Sequence, residues 1–153
     1  STKSEIIVTK EHHAEIRKIT FKNDSNEDKH LQLTTYTEPI LSENMNDISH
    51  RVFNSMFIST SYDEESHSLI AKRKNRDDSG VNSYMFTRMF IPSVTEGYTY
   101  DTERVHFIGR NRSTSNPEGL NKELTNFNFI SDPYKADFII SYHKEKCNRK
   151  IWE

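Results

Sequence analysis

Ala14-Glu15-Ile16-Arg17-Lys18-Ile19-Thr20-Phe21 runs into Lys22-Asn23-Asp24-Ser25-Asn26 and is followed by Leu31-Gln32-Leu33-Thr34-Thr35-Tyr36. Both runs are rich in β-branched and aromatic residues, which suit a pleated, half-buried surface better than a helix. In the second run apolar and polar residues alternate, which puts Leu31 and Leu33 on one face of a strand. The Asn, Asp and Ser residues between the runs hydrogen-bond their own backbone and favour turning. Together the two runs predict a β-hairpin with a long polar turn.

The same texture recurs along the chain. Phe53 to Tyr62, the turn Asp63-Glu64-Glu65-Ser66 and Ser68 to Arg73 predict a second hairpin. Tyr84 to Ile91 carries large apolar side chains on both faces, which predicts a central strand buried on both sides and ended by Pro92. Gly97 to Thr102 and Val105 to Gly109 predict further extended segments, and strand character returns from Phe127 through Ile140. Between Thr37 and Asn54, Ser42 and Asp47 are candidate helix starts, but few apolar residues recur periodically. That stretch reads as a long crossing loop with one helical turn at most, and such loops are often functional. Pro117 to Leu124 predicts a short helix with Leu120 and Leu124 on one face. With no long amphipathic helix, repeat or low-complexity tract, the chain reads as all-β, an antiparallel sandwich forming a single domain or segment over residues 1–153.

Composition narrows the partners. Leu, Ile, Val and Phe make 34 of the 153 residues, just above the level of roughly 20% below which chains stay disordered. Twenty-one Lys and Arg against 23 Asp and Glu leave a net charge of −2, so no nucleic-acid partner is expected. No apolar run approaches the roughly 18 residues of a membrane span, and Ser1-Thr2-Lys3-Ser4 is no signal peptide. A cytoplasmic domain without direct membrane contact is the expectation. The single Cys147 excludes an internal disulfide and a cysteine-based metal cage, and fits a reducing compartment. The chain does not begin with Met, as expected of a processed product or of a fragment of something longer.

The seven histidines (His12, His13, His30, His50, His67, His106 and His143) are scattered without the short spacings of metal ligands, so neither metal nor cofactor is expected. Asp101 and Glu103 would share a strand face, as a carboxylate pair for acid/base chemistry requires, but any acidic residues two apart do so, and a solvated face is the commoner outcome. Lys72-Arg73-Lys74-Asn75-Arg76 is followed at once by Asp77-Asp78, which reads as a solvated turn and not a phosphate stripe.

Residues 100–117 differ in kind. Gly109 ends an apolar segment where backbone can approach a ligand, and Arg110, Asn111, Arg112, Ser113 and Asn116 follow as a fan of hydrogen-bond donors. Planar guanidinium and amide groups beside aromatic residues suit sugars, whose rings offer hydroxyl edges and C–H faces. A plain polar loop is the alternative.

Five blocks carry a family likeness: Glu15 to Asn23, Leu33 to Glu38, the spaced Asp47, His50 and Phe53 before Phe57-Ile58, Leu69 to Lys74, and Thr102 to Arg110 with Asn116-Pro117. In this order the chain resembles the glycosyltransferase-36 region of the family-94 glycoside phosphorylases, above all that of the cyclic β-1,2-glucan synthetases. The resemblance implies a galactose-mutarotase-like supersandwich lying N-terminal to a catalytic α/α barrel. It further implies that the barrel, absent from this chain, performs the chemistry, and that the sandwich helps to wall the acceptor-sugar side of the cleft. No catalytic residue is then expected here, and the chain alone is expected to be inactive although its parent is expected to be a glycosyltransferase or glycoside phosphorylase, a membrane-embedded parent being compatible with this. By matching position Arg110 reaches sugar hydroxyls, with Arg112 and Asn116 beside it and Arg104, Phe107 and Gly109 shaping the loop. The alternative for Arg104 is an ion pair with Asp101 or Glu103. Expected partners are a glucan or oligosaccharide, the barrel and a second copy of the chain. The family's sandwich is longer than 153 residues, so exposed edge strands are expected. A packing and dimerisation module that binds no sugar alone is the alternative role.

Overall fold

The computed structural model describes residues 1–74, 82–92, 98–122, 124, 136–147 and 151–152, the last two segments by backbone only. Two compact units divide the chain: residues 1–32, 90–96 and 143–153 in the first, 33–89 and 97–142 in the second. Among the described residues the fold is all-β, with strands in three-stranded sheets and two short helices. Every pairing of described register is antiparallel. No described helix is long and apolar enough to cross a membrane.

In the first unit β1 (Thr2–Val8) pairs with β2 (Glu15–Lys22), Thr2 lying opposite Phe21 and Val8 opposite Glu15. The loop between them is closed by Thr9, whose amide donates to Ala14 O at 2.8 Å and whose Oγ1 accepts from the Ala14 amide at 3.2 Å. The expected partner of β2 is thus corrected: β2 pairs with β1 and with β9 (Ile151–Trp152), whereas β3 (Lys29–Thr37) lies beside β8 (Ala136–Cys147). Ile6, Ile7, Val8 and Ile16 are all more than half exposed.

In the second unit β4 (Ile58–Asp63), β5 (Ser68–Arg73) and β6 (Ser83–Thr87) form a meander. The β4–β5 hairpin is as expected in its turn, where the Asp63 carboxylate accepts from the Ser66 amide at 2.8 Å and from its hydroxyl. Leu69 and Ala71 of β5 are fully buried. β6 is not the two-sided central strand its apolar run suggested: among the described residues it is an outer strand of its sheet, and Tyr84 and Phe86 are exposed. β7 (Tyr98–Glu103) pairs with β8, with an irregularity between Asp101 and Glu103. Tyr100 of β7 stacks on Tyr62 of β4, ring centroids 4.1 Å apart.

Helices replace most of a predicted loop and one predicted extended segment. The crossing loop holds α1 (Asn44–Ser55), twelve residues long and broken at His50, where φ is −143° and ψ 48°. It takes Phe53 to Ser55 away from the predicted strand. Val105 to Ile108, read as extended, belong to α2 (Arg104–Ile108), which follows β7 without a loop. Its Phe107 and Ile108, with Leu124, form a small core against which Tyr36 of β3 packs. The predicted helix after Pro117 is only a 3-10 turn (Glu118–Asn121), with Leu120 exposed and Leu124 buried. The predicted strand at 127–135 lies outside the described residues.

Candidate functional site

Glu38, at the end of β3, organises the region. Its Oε1 accepts from Tyr36 Oη at 3.0 Å and from Arg104 of α2, and its Oε2 accepts from Arg51 of α1. Burial pushes the Glu38 pKa up, but the hydrogen bonds from Arg104 and Tyr36 and the charges of Arg104 and Arg51 outweigh it, so the carboxyl lies below its ordinary value. Arg104 is therefore in an ion pair, as its alternative had it, with a partner that the sequence did not suggest: Glu38, 66 residues back.

Phe107 is 3% exposed and stacks on Tyr36 with centroids 5.7 Å apart. It fixes α2 in the core and offers no face to a ligand. Gly109 caps α2 with φ 83° and ψ 163°, a conformation that only glycine adopts readily, and its amide donates to Val105 O at 2.9 Å. The chain then turns through Asn111 at φ 59°. Gly119 abuts Phe107: a Cβ there would stand 2.3 Å from the ring. Both ends of the 109–119 loop are thus built against the core, and Pro117 is buried between them.

Along that loop Arg110, Arg112 and Asn116 are exposed. The Asn116 amide donates to Ser113 O at 3.1 Å, and the Ser113 and Ser115 hydroxyls are 2.7 Å apart. Of the six residues singled out by sequence, three present donors to solvent and three (Arg104, Phe107, Gly109) hold the loop in place.

Asp101 and Glu103 do not form a carboxylate pair. Asp101 is fully buried, its Oδ1 accepting from the Glu103 amide at 2.9 Å and its Oδ2 lying 2.6 Å from His106 Nδ1. The carboxylate thereby secures the step from β7 into α2. Sequence reading missed this contact, for which the five-residue spacing of Asp and His across a strand end was the only signal. Among the described residues no three His, Cys, Asp or Glu side chains gather as a metal site would need.

A further feature was unread. Beneath α1 a small open cleft with a cavity volume of about 30 Å³ is lined by Glu38, Ser42, Asp47, Arg51, Asn54 and Arg73 among others. Arg73 donates to Asn54 O at 3.1 Å and Oδ1 at 3.0 Å, and Asn54 Nδ2 donates to Asn46 O at 2.5 Å.

Comparison with known proteins agrees with this fold. The family model described as glycosyl hydrolase 94, supersandwich domain, matches residues 1–136. The cyclic beta-(1,2)-glucan synthase NdvB of Rhizobium meliloti (strain 1021) is 26% identical over 141 residues, 92% of this chain. The chain spans 5% of the length of that relative.

Proposed function

The chain belongs to the glycosyl hydrolase 94 supersandwich family, and from that membership we propose that it is a carbohydrate-binding, non-catalytic segment of a protein similar to the cyclic β-1,2-glucan synthases. In this reading the loop after Gly109 lines the acceptor-sugar side of a cleft whose catalytic groups lie on a separate barrel domain. The observation that carries it is the construction of residues 109–119: the two ends are fixed against Phe107 and Glu118 while Arg110, Arg112 and Asn116 stand exposed. Holding a loop rigidly lowers the entropy lost when its donors engage a ligand. Guanidinium and amide groups donate to sugar hydroxyls. Titration of the full chain with β-1,2-gluco-oligosaccharides, followed by amide chemical shifts, tests this. Saturable shifts across Arg110 to Asn116 at millimolar ligand are expected, and their absence refutes sugar binding by the loop.

A second reading, a packing module that binds no sugar alone, is favoured by the outward side of α1. Met45, Ile48, Val52 and Met56 are each more than half exposed there, and apolar patches of this kind mark interaction surfaces. The occupant in this reading is another part of a protein as long as the glucan synthase it resembles, with pairing of two copies as the simplest case. A mass that stays monomeric by light scattering over a wide concentration range removes the pairing.

A further inference from the structure

Tyr62 of β4 and Tyr100 of β7 belong to different three-stranded sheets of the second unit, and their rings meet face to face. The centroids are 4.1 Å apart and the planes 15° from parallel, closer than the roughly 4.5–7 Å at which aromatic pairs ordinarily settle. Rings at this separation are in van der Waals contact. Tyr62 Oη lies 3.0 Å from His67 Nδ1 and donates to it in the tautomer whose proton is on Nε2. His67 is exposed at the β4–β5 turn and holds φ 50°, a conformation uncommon for any residue but glycine. The turn thus sets an imidazole nitrogen against one of two stacked phenols. Burial raises the pKa of both phenols, so an electron leaves most readily together with the proton, and a proton acceptor in hydrogen-bond reach is what that departure needs. The Glu64 charge acts on both rings and the Asp63 charge on Tyr62; negative charge nearby favours withdrawal of an electron. Both rings are half-buried and not sealed from solvent.

We propose that Tyr62 and Tyr100 form an oxidative modification site, where hydrogen peroxide acting through a haem peroxidase joins the two rings as dityrosine. Each phenol gives up one electron and its proton, that of Tyr62 passing to His67, and the peroxide takes up both electrons and both protons and leaves as water. The two phenoxyl radicals couple through a carbon ortho to each oxygen. A C–C bond forms there, the hydrogen on each coupled carbon moves to its oxygen, and both phenols are restored. The product ties the sheet of β4 to the sheet of β7. The site does not rest on sugar binding by the loop after Gly109. The test treats the dilute full chain with a haem peroxidase and hydrogen peroxide, and reads dityrosine fluorescence, intact mass and the cross-linked peptides. A monomeric product lighter by two hydrogen atoms is expected, with the link between the peptides that hold Tyr62 and Tyr100. Tyr62→Phe and Tyr100→Phe are each expected to abolish it, and Tyr84→Phe, which alters an exposed ring beside Lys72, to leave it unchanged. His67→Asn tolerates the same backbone but takes up no proton, and is expected to slow the initial rate by about tenfold or more. The urea midpoint of the linked chain is expected to rise by about 1–2 M, as closure of a loop from 62 to 100 predicts. A link mapped to Tyr98 and Tyr142, which lie opposite each other in the β7–β8 register, an equal yield from Tyr62→Phe, or no monomeric product once the peroxide is consumed would overturn the proposal. An unchanged rate in His67→Asn would overturn the role given to His67.

Discussion

Gly109→Ala attacks the joint on which the donor loop turns. At φ 83° and ψ 163° the backbone is in a region that costs a residue with a Cβ about 1–3 kcal/mol. The new methyl group would also stand 2.4 Å from Glu118 Oε2 and 2.8 Å from Glu118 Cβ. The carboxylate end can swing away, but the Glu118 Cβ is fixed on the 3-10 turn, so backbone must move, and overpacking of this sort costs about 1–3 kcal/mol. The two effects together predict a loss of roughly 2–6 kcal/mol, a large share of the stability of about 5–15 kcal/mol typical of a domain. With a urea slope of about 2 kcal/mol per molar, the unfolding midpoint should fall by about 1–3 M. Glu118→Gly separates the contributions: it removes the obstructing Cβ and leaves the dihedral cost, so the double-mutant cycle should give a coupling of about 1–2 kcal/mol. A Gly109→Ala midpoint within about 0.3 M of the parent, well inside the error of a 1 kcal/mol effect, would refute the strained-joint reading. Strict additivity with Glu118→Gly would refute the contact part alone.

Glu38→Gln should cost about 1–2 kcal/mol in urea unfolding, the lower part of the range for charged hydrogen bonds because a quarter of the side chain still meets solvent. Because the Glu38 pKa is depressed on folding, its contribution is present above the unfolded value near 4.5 and lost as pH falls through the folded one, so the variant should show a shallower acid-side decline in urea midpoint. Asp101→Ala strands the Glu103 amide and His106 and should cost roughly 2–3 kcal/mol, whereas Asp101→Asn, which keeps one acceptor, should cost less in the same assay. Burial raises the pKa of both Tyr62 and Tyr100, and for Tyr62 the neighbouring Tyr100 adds to it; phenolate absorbance should therefore keep rising above pH 10 in the folded chain, and Tyr62→Phe should shrink that late phase. Since the fold favours the neutral phenols, their contribution to stability is full below about pH 10 and fades as pH climbs through the raised values.

Strand content was legible because it depends on local side-chain shape: Glu15 to Phe21, Leu31 to Tyr36 and Ser68 to Arg73 all lie in strands. Strand partners were less so. The β4–β5 turn is built by Asp63 and Ser66 within the hairpin itself, whereas β2 meets residues 2–8 on one side and 151–152 on the other, a choice made far along the chain. α1 escaped notice although Met45, Ile48 and Val52 recur at helical spacing, because Asn44, Asn46, Asp47 and Ser49 among them are weak helix formers. His50 breaks the helix, and no side chain caps its start. α2 was misread because Val105, Phe107 and Ile108 favour strands intrinsically, while the buried Asp101 carboxylate and the Tyr36 ring draw them into a helical turn. At the candidate site Gly109 was found by its residue type. The Arg104 partner, 66 residues away, was not.

α1 also bears on how the two readings of the chain relate. An isolated helix of twelve residues is marginal in water, and α1 starts at Glu43 without a side-chain cap. Its hold on the rest of the second unit comes from directional polar bonds: Arg51 to Glu38, and Arg73 to two oxygens of Asn54. Its apolar side is therefore not needed to keep it in place and stays available. Covering Met45, Ile48, Val52 and Met56 with a partner would add several kcal/mol at about 1.5–3 kcal/mol for each side chain fully buried. The outer apolar face and the inner polar face of α1 are opposite, so covering the first leaves the bonds of the second in place. α1 and α2 are linked at one group. The Glu38 carboxylate walls the cavity, holds α1 through Arg51 and holds α2 through Arg104, and α2 leads directly into the donor loop. Neutralising that single carboxyl should loosen the α1 surface and the loop after Gly109 together, whereas Gly109→Ala should disturb the loop and leave α1 in place.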